Sequence, residues 1–287
     1  MIVRTPASSA NIGPGFDTLG MALTLYVEIG SVACADDGAD DGAVPEGARL
    51  IDDHHPATIA HRRAGGSGSL WERGSIPAGR GMGYSGAVRV GGVLLAMAQQ
   101  GDFVTPTTDD LHTALLLAAG LEGHTDNVAA SLYGGIIATA GGRVVQVPLP
   151  FDPAIVVWIP STVTKTDESR RALGAPVEFD DVVFNLGRLA VLVAALAAGD
   201  VDALRLGVQD RVHQPLRLAH AEASRAAIQA AHDAGAWASW LSGSGPTVAA
   251  MCAIDDATAI AASLPGNGHT KVLRIAHQGA AIVDTYT

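Results

Sequence analysis

The chain has 287 residues, of which 48% are hydrophobic and 16% charged, so it is not disordered and has room for one large or two modest domains with a sizeable core. Its formal net charge of −11 argues against nucleic acid or anionic membrane as a partner, since both require clustered Lys and Arg. The longest apolar runs, Ala114–Leu121 and Leu189–Ala198, fall short of the roughly 18–20 residues of a spanning helix and fit buried helices.

The N-terminal segment has no signal-peptide character, and the widely separated Cys34 and Cys252 read as free thiols in a reducing cytosol. Alternation predicts a short strand over Ile2–Thr5, ended by Pro6, and a second over Leu23–Cys34. Between them, Pro6–Gly20 (PASSANIGPGFDTLG) is polar and rich in glycine. It is either a loop whose Ser8, Ser9, Asn11 and Asp17 line a small polar pocket, or a turn with an Asx cap. Asp36–Glu46 reads as an acidic hairpin tip on the surface, Ala48–Ile51 as a returning strand and Pro56–Arg63 as a short helix.

Pro77–Ala87 (PAGRGMGYSGA) runs into a helix predicted over Ser85–Gln99, whose Gly91-Gly92 pair implies close packing against a neighbour. Glycines ahead of a helix let backbone N–H groups converge where the helix adds its partial positive charge, which suits a phosphate. Arg80 offers a cation and Ser85 a hydroxyl for metal or phosphate, although the spacing is not that of a Walker loop and a tight turn explains it equally well. A helix follows over Asp109–Leu121, capped by Thr107 or Thr108, and another over Asn127–Tyr133. Glu122, His124, Asp126 and Asn127 cluster between these two helices. They provide carboxylates for a magnesium ion or for orienting a hydroxyl, or they simply cap the helix start, and no second His or Cys stands at zinc spacing from His124.

Strands are predicted over Ile136–Ala140, Val144–Val147 and Ala154–Ile159, with Pro148, Pro150 and Pro153 marking a boundary between domains 1–150 and 151–287. The second half gives helices near Glu168–Leu173, Phe184–Ala198, Val201–Arg211 and Ala221–Ala234. Its strands fall near Ala236–Leu241, Val248–Ala253 and Thr270–Ile275. The mixed order indicates an α+β fold. Leu241–Val248 (LSGSGPTV) is either a hairpin connection or a loop that closes over a ligand. Arg170 and Arg217 carry forks that suit a carboxylate, the alternative being solvent-facing helix residues.

Taken in order, PASSANIGPGFDTLGMAL, EGHTDNVAASLYGG, TDESRRAL, HQPLR and LSGSGPTVAAM resemble the motifs of the GHMP kinase superfamily, and within it those of the homoserine kinase family, across the whole chain. The resemblance implies a two-domain α+β fold with an N-terminal nucleotide-binding domain and a ferredoxin-like C-terminal domain. It implies ATP at Pro77, Arg80, Gly81, Gly83, Tyr84, Ser85, Gly86, Ala87 and Ser244, with magnesium on Ser85 and Glu122. Asn11, Asp17, Arg170, Arg217, Ser242 and Gly243 would face an amino-acid substrate, and Asp126, Asn127 and Arg217 would serve catalysis. The implied reaction is phosphorylation of L-homoserine by ATP on the route to threonine, in the cytoplasm. The alternatives are another small hydroxy compound as acceptor or a non-catalytic small-molecule sensor. Oligomeric state is left open, a homodimer being one option.

Two positions depart from the family pattern. Gly-Leu-Gly-Ser-Ser is replaced here by Gly81-Met82-Gly83-Tyr84-Ser85, so a phenol stands where a small hydroxyl is expected. Arg89 puts a charge into a helix that is usually apolar. The residues between the first and second motifs, which in the family help to hold the adenine, are short and rich in His, Arg and Gly.

Overall fold

The computed structural model describes residues 1–32, 44–101, 105–161, 173–174 and 176–283. Its framework is a long antiparallel hairpin, β1 (Ile2–Asn11) and β2 (Gly15–Ser31). The strand predicted over Ile2–Thr5 continues through Pro6. Proline has no N–H for the ladder, and the pairing absorbs it with a register shift between Pro6 and Ala7. Most of the segment read as a polar loop is therefore paired strand, and the turn is confined to residues 12–14.

β2 is long enough to pair along its length with β1, near its C-terminal end with β4 (Leu70–Gly74), and near its N-terminal end with β5 (Ile136–Ala140). β3 (Arg49–Ile51) extends the sheet beyond β4, and β6 (Arg143–Val147) beyond β5. The last strand, β11 (Ala281–Val283), returns to pair with β1 and completes seven strands. Against this sheet lie α1 (Pro56–Arg63), α2 (Tyr84–Gln100), α3 (Thr108–Glu122) and α4 (Asp126–Tyr133). Helices α1 and α2 touch at Gly92, where a Cβ would stand 2.2 Å from the Ala57 carbonyl oxygen, so the Gly91-Gly92 pair does mark a close approach. Thr107 and Asp110 form a reciprocal capping box at the start of α3.

The second sheet has the order β10 (Gly268–Leu273), β7 (Ala154–Pro160), β9 (Val248–Cys252), β8 (Ala238–Leu241), antiparallel throughout. Around it run α5 (Phe179–Ala198), α6 (Val201–Gly207), α7 (Gln214–Leu218), α8 (Glu222–Asp233) and α9 (Ala257–Ser263). By length and composition alone α5 would pass for a membrane span. Its first turn carries Asp180 and Asp181, and Leu192, Ala195 and Leu196 reach the core, but Phe179, Val183 and Leu186 are exposed, so the helix is mostly on the surface and not the buried one that the run Leu189–Ala198 suggested. One apolar cluster runs from Val3 and Leu23 in the first sheet to Ile155, Val157 and Trp240 in the second, so the two layers share a core.

The predicted helix over Val201–Arg211 stops at Gly207 because Asp210 accepts hydrogen bonds from the amides of Val212, His213 and Gln214 and so starts the separate helix α7. The predicted helix Glu168–Leu173, with Arg170, lies almost wholly outside the described residues, as do Cys34 and most of the acidic tip. Cys252 is a buried free thiol.

Candidate active site

A cleft of about 160 Å³ opens where the β1–β2 hairpin tip, the glycine-rich loop before α2, the start of α4 and the loop after β8 meet. Gly79, Gly81 and Gly83 have φ of 66°, 72° and 67°, values that residues with a side chain rarely adopt. Gly83 is the N-cap of α2. No side chain caps this helix and no acidic residue stands in its first turn, so neither a cap nor a first-turn carboxylate competes for its leading amides. Ser8 fixes this loop from β1: its amide donates to the Met82 carbonyl at 3.1 Å, and its hydroxyl donates to Asn127 Oδ1 at 2.9 Å.

The hairpin tip carries three non-glycine residues with positive φ, Asn11 (72°), Ile12 (43°) and Asp17 (54°). Such conformations persist only where surrounding contacts over-determine them. Asn11 supplies two of those contacts: Oδ1 accepts from the Asp17 amide at 3.1 Å and Nδ2 donates to the Gly243 carbonyl at 2.9 Å. Arg217 donates through Nη1 to the same Gly243 oxygen at 3.0 Å, and its guanidinium carbon lies 5.4 Å from the centre of the Phe16 ring. His213, wholly buried, donates from Nε2 to the Gly13 carbonyl at 2.7 Å, and its Nδ1 lies 3.2 Å from Arg217 Nη1. Burial holds the His213 pKa below the ordinary histidine value and outweighs the upward pull of Asp210 and the Gly13 carbonyl. The neutral ring with its proton on Nε2 therefore leaves Nδ1 free to accept from Arg217.

On the far side of α2, Glu122 Oε2 accepts from Ser85 Oγ at 2.7 Å and from Arg89 Nε at 2.6 Å. His124 stands between two carboxylates, with Nδ1 2.8 Å from Asp126 Oδ1 and Nε2 3.6 Å from Glu122 Oε1. Asp126 is buried, and the same Oδ1 accepts from the Asn127 amide at 2.8 Å. The chain turns here because α3 ends on left-handed Gly123 and α4 starts three residues later at Asp126. Ser85 and Glu122 offer hard oxygen donors at one edge of the glycine-rich loop. That set is too small for a magnesium ion alone but fits one that arrives with phosphate oxygens. Among the described residues no group of three or more metal-ligating side chains forms a cage.

The cleft brings together Asn11, Asp17, Arg80, Gly81, Gly83, Tyr84, Ser85, Glu122, Asp126, Asn127, Arg217, Gly243 and Ser244. Pro77, Gly86, Ala87 and Ser242 are not in its wall. The Ser242 hydroxyl, buried, donates to the Gly81 carbonyl at 2.6 Å and hydrogen-bonds Ser9 Oγ at 2.8 Å, so it ties the third motif to the second. Arg80 reaches the cleft, but its Nε and Nη2 each donate at 3.2 Å to carbonyls at the end of β7, those of Pro160 and Ser161. Phe16 and His124 also line the cleft; the sequence placed His124 in the Glu122–Asn127 cluster but gave neither residue a role of its own. The signal available for His124 was its place between Glu122 and Asp126, and a search for zinc spacing passes over it.

Residues 57–135 match the family model of the GHMP kinases N terminal domain and residues 192–270 that of the GHMP kinases C terminal. Homoserine kinase of Moorella thermoacetica is 40% identical over 263 residues, 88% of this chain and 87% of that one. Homoserine kinase of Thermus thermophilus is 36% identical over 283 residues, 94% of each chain. Among solved structures, homoserine kinase from Cytophaga hutchinsonii superposes with a TM-score of 0.82 at 26% identity, covering 99% of this chain and 97% of that one. The chain belongs to the homoserine kinase family of the GHMP kinases.

Proposed function

We propose that this protein transfers the γ-phosphoryl group of ATP to the side-chain hydroxyl of L-homoserine, giving O-phospho-L-homoserine and ADP. The observation that carries this reading is a single cleft that holds Asp17, Arg217 and the uncapped start of α2. An amino acid needs an anion for its ammonium and a guanidinium for its carboxylate, and the helix start suits the triphosphate. Phosphoryl transfer asks mainly for positioning and charge neutralisation.

In this assignment Asp17 takes the substrate ammonium and Arg217, steadied by His213 and Gly243, takes the carboxylate. Arg170 is a second candidate for the carboxylate on sequence grounds. Asp126, held through Oδ1 by His124 and the Asn127 amide, orients the hydroxyl and receives its proton as the new O–P bond forms. Asn127 and the α2 amides steady the transferring group. Ser85 and Glu122 would hold a magnesium ion, which when bound neutralises phosphate charge. On this reading the enzyme is cytoplasmic and lies on the route to threonine.

The test is ADP release by the purified protein with ATP and magnesium, offered L-homoserine, L-threonine, L-serine, mevalonate or galactose separately. Turnover with L-homoserine alone is the expected result. Turnover with another acceptor moves the substrate, and ATP binding without turnover on any of them would favour a sensor.

A further inference from the structure

We propose that Arg89 is a positioning residue that competes with a divalent cation for Glu122, so that metal enters this site only with the phosphates that carry it. The inference rests on the nucleotide reading above. Arg89 stands one turn beyond Ser85 on α2, and helical side chains lean back toward the helix N-terminus. That lean delivers Nε to Glu122 Oε2 at 2.6 Å, the same oxygen that Ser85 reaches at 2.7 Å. The two side chains of the ion pair are only 17% and 11% exposed, so water screens them weakly.

A carboxylate oxygen offers about two acceptor sites, and both sites of Oε2 are taken. Oε1 faces His124 Nε2 at 3.6 Å, beyond hydrogen-bond reach. Glu122 therefore has one oxygen for a metal, and its charge is already matched by a guanidinium that does not release its proton. A cation approaching Ser85 and Glu122 meets a neutralised carboxylate with a fixed positive charge beside it. Nucleotide phosphates add the negative charge and the oxygen ligands that the protein lacks. The same guanidinium, close to the start of α2, partly stands in for the metal when nucleotide is bound without it.

The experiment titrates the protein with Mn(II), counting free Mn(II) by electron paramagnetic resonance, with and without saturating ADP. It compares the unaltered chain with Arg89→Met, Arg89→Lys and the double variant Arg89→Met with Glu122→Gln, each checked for folding by circular dichroism. Arg89→Met should bind Mn(II) roughly tenfold more tightly with ADP present, the scale of removing one nearby, partly screened charge. Arg89→Lys, which keeps the charge, should stay near the unaltered chain, and the double variant should lose the gain. Equal or weaker Mn(II) binding in Arg89→Met overturns the proposal, and weaker binding would mean the arginine holds the carboxylate in place for the metal. Failure of ADP to bind any folded variant would instead overturn the nucleotide reading, and this inference with it.

Discussion

The Tyr84 hydroxyl donates to Glu72 Oε2 at 2.7 Å, and Glu72 is not in the wall of the cleft that Tyr84 helps to line. The residue standing in place of the family's serine thus turns its oxygen toward β4 and not toward the glycine-rich loop. His55 Nε2 lies 2.9 Å from the phenol oxygen and 3.1 Å from Glu72 Oε2. His55 Nδ1 accepts from the Ala57 amide at the start of α1, which leaves the ring proton on Nε2. Arg49 completes the set by donating through Nε to Glu72 Oε1 at 2.8 Å. Burial pushes the Tyr84 phenol well above its ordinary pKa and Glu72 pushes it further, so it stays a donor. Burial alone would raise the Glu72 pKa, but the hydrogen bonds from His55, Tyr84 and Arg49 together hold it at about 2. The cluster joins β4 to the N-cap of α1 and to the first residue of α2.

Replacing Tyr84 with Phe keeps the ring and removes the tether. The expected loss is about 1–2 kcal/mol of stability, because a buried carboxylate is left one donor short. The Michaelis constant for ATP should rise while turnover at saturation changes little, since the start of α2 is loosened and no reacting atom is touched. A larger fall in turnover than in ATP affinity would count against the tether. Acid unfolding gives a second check on Glu72. Its folded pKa is depressed from 4.5 to about 2, so its contribution is present above pH 4.5 and is lost as pH falls toward 2. Glu72→Gln should flatten that part of the profile.

The fold was legible where one local rule governed it. The glycine pair of α2, a cap at Thr107 or Thr108, of which the structure uses Thr107, and the strands β5, β6 and β7 were read correctly, because close packing, capping and short runs of β-branched residues between glycines and prolines are local signals. Pro6 misled because a proline stops a strand in isolation but not inside a bulged hairpin whose partner is longer. β11 is only three residues long and exists because β1 offers it an edge, a pairing of Ile2 with Val283 that no local pattern carries. The candidate site divides in the same way. The loops that meet at the cleft were visible as glycine-rich motifs, but which side chain points inward was not. Ser242 and Arg80 have suitable chemistry, yet they join the loops to each other and to β7.

Gly81 shows how tightly those loops are joined. A Cβ there would stand 2.2 Å from the Ser242 carbonyl oxygen and 3.0 Å from that of Gly245, at a φ of 72°. Gly123 has a similar φ of 83° but no atom within 4 Å of the corresponding position. Gly123→Ala should therefore show only the conformational cost, about 1–2 kcal/mol. Gly81→Ala should add an overpacking cost of about 1–3 kcal/mol and weaken ATP binding, because the third motif must move off the second. Chemical denaturation of both variants, with nucleotide binding measured on the folded protein, makes the comparison. Equal losses in the two variants would mean that the loops yield without cost.

With Arg217 assigned to the substrate carboxylate as proposed above, its contact with His213 should make substrate binding depend on pH. With the ring neutral, Nδ1 has a lone pair for Arg217 Nη1 at 3.2 Å. Protonation would place a hydrogen and a positive charge there, facing a guanidinium that stays charged. The folded pKa lies below the unfolded value of 6.5 because the ring is buried. Between those two values the unfolded chain holds a proton that the folded chain does not, so stability is full above pH 6.5 and declines as pH falls below it. The slope from one such group cannot exceed about 1.4 kcal/mol per pH unit. His213→Gln retains a donor for the Gly13 carbonyl and has no titrating ring. Its unfolding free energy should change less between pH 8 and pH 5 than that of the unaltered protein, and its Michaelis constant for L-homoserine should be raised but flatter over the same range. Parallel profiles for the two proteins would show that the ring does not set the pH response.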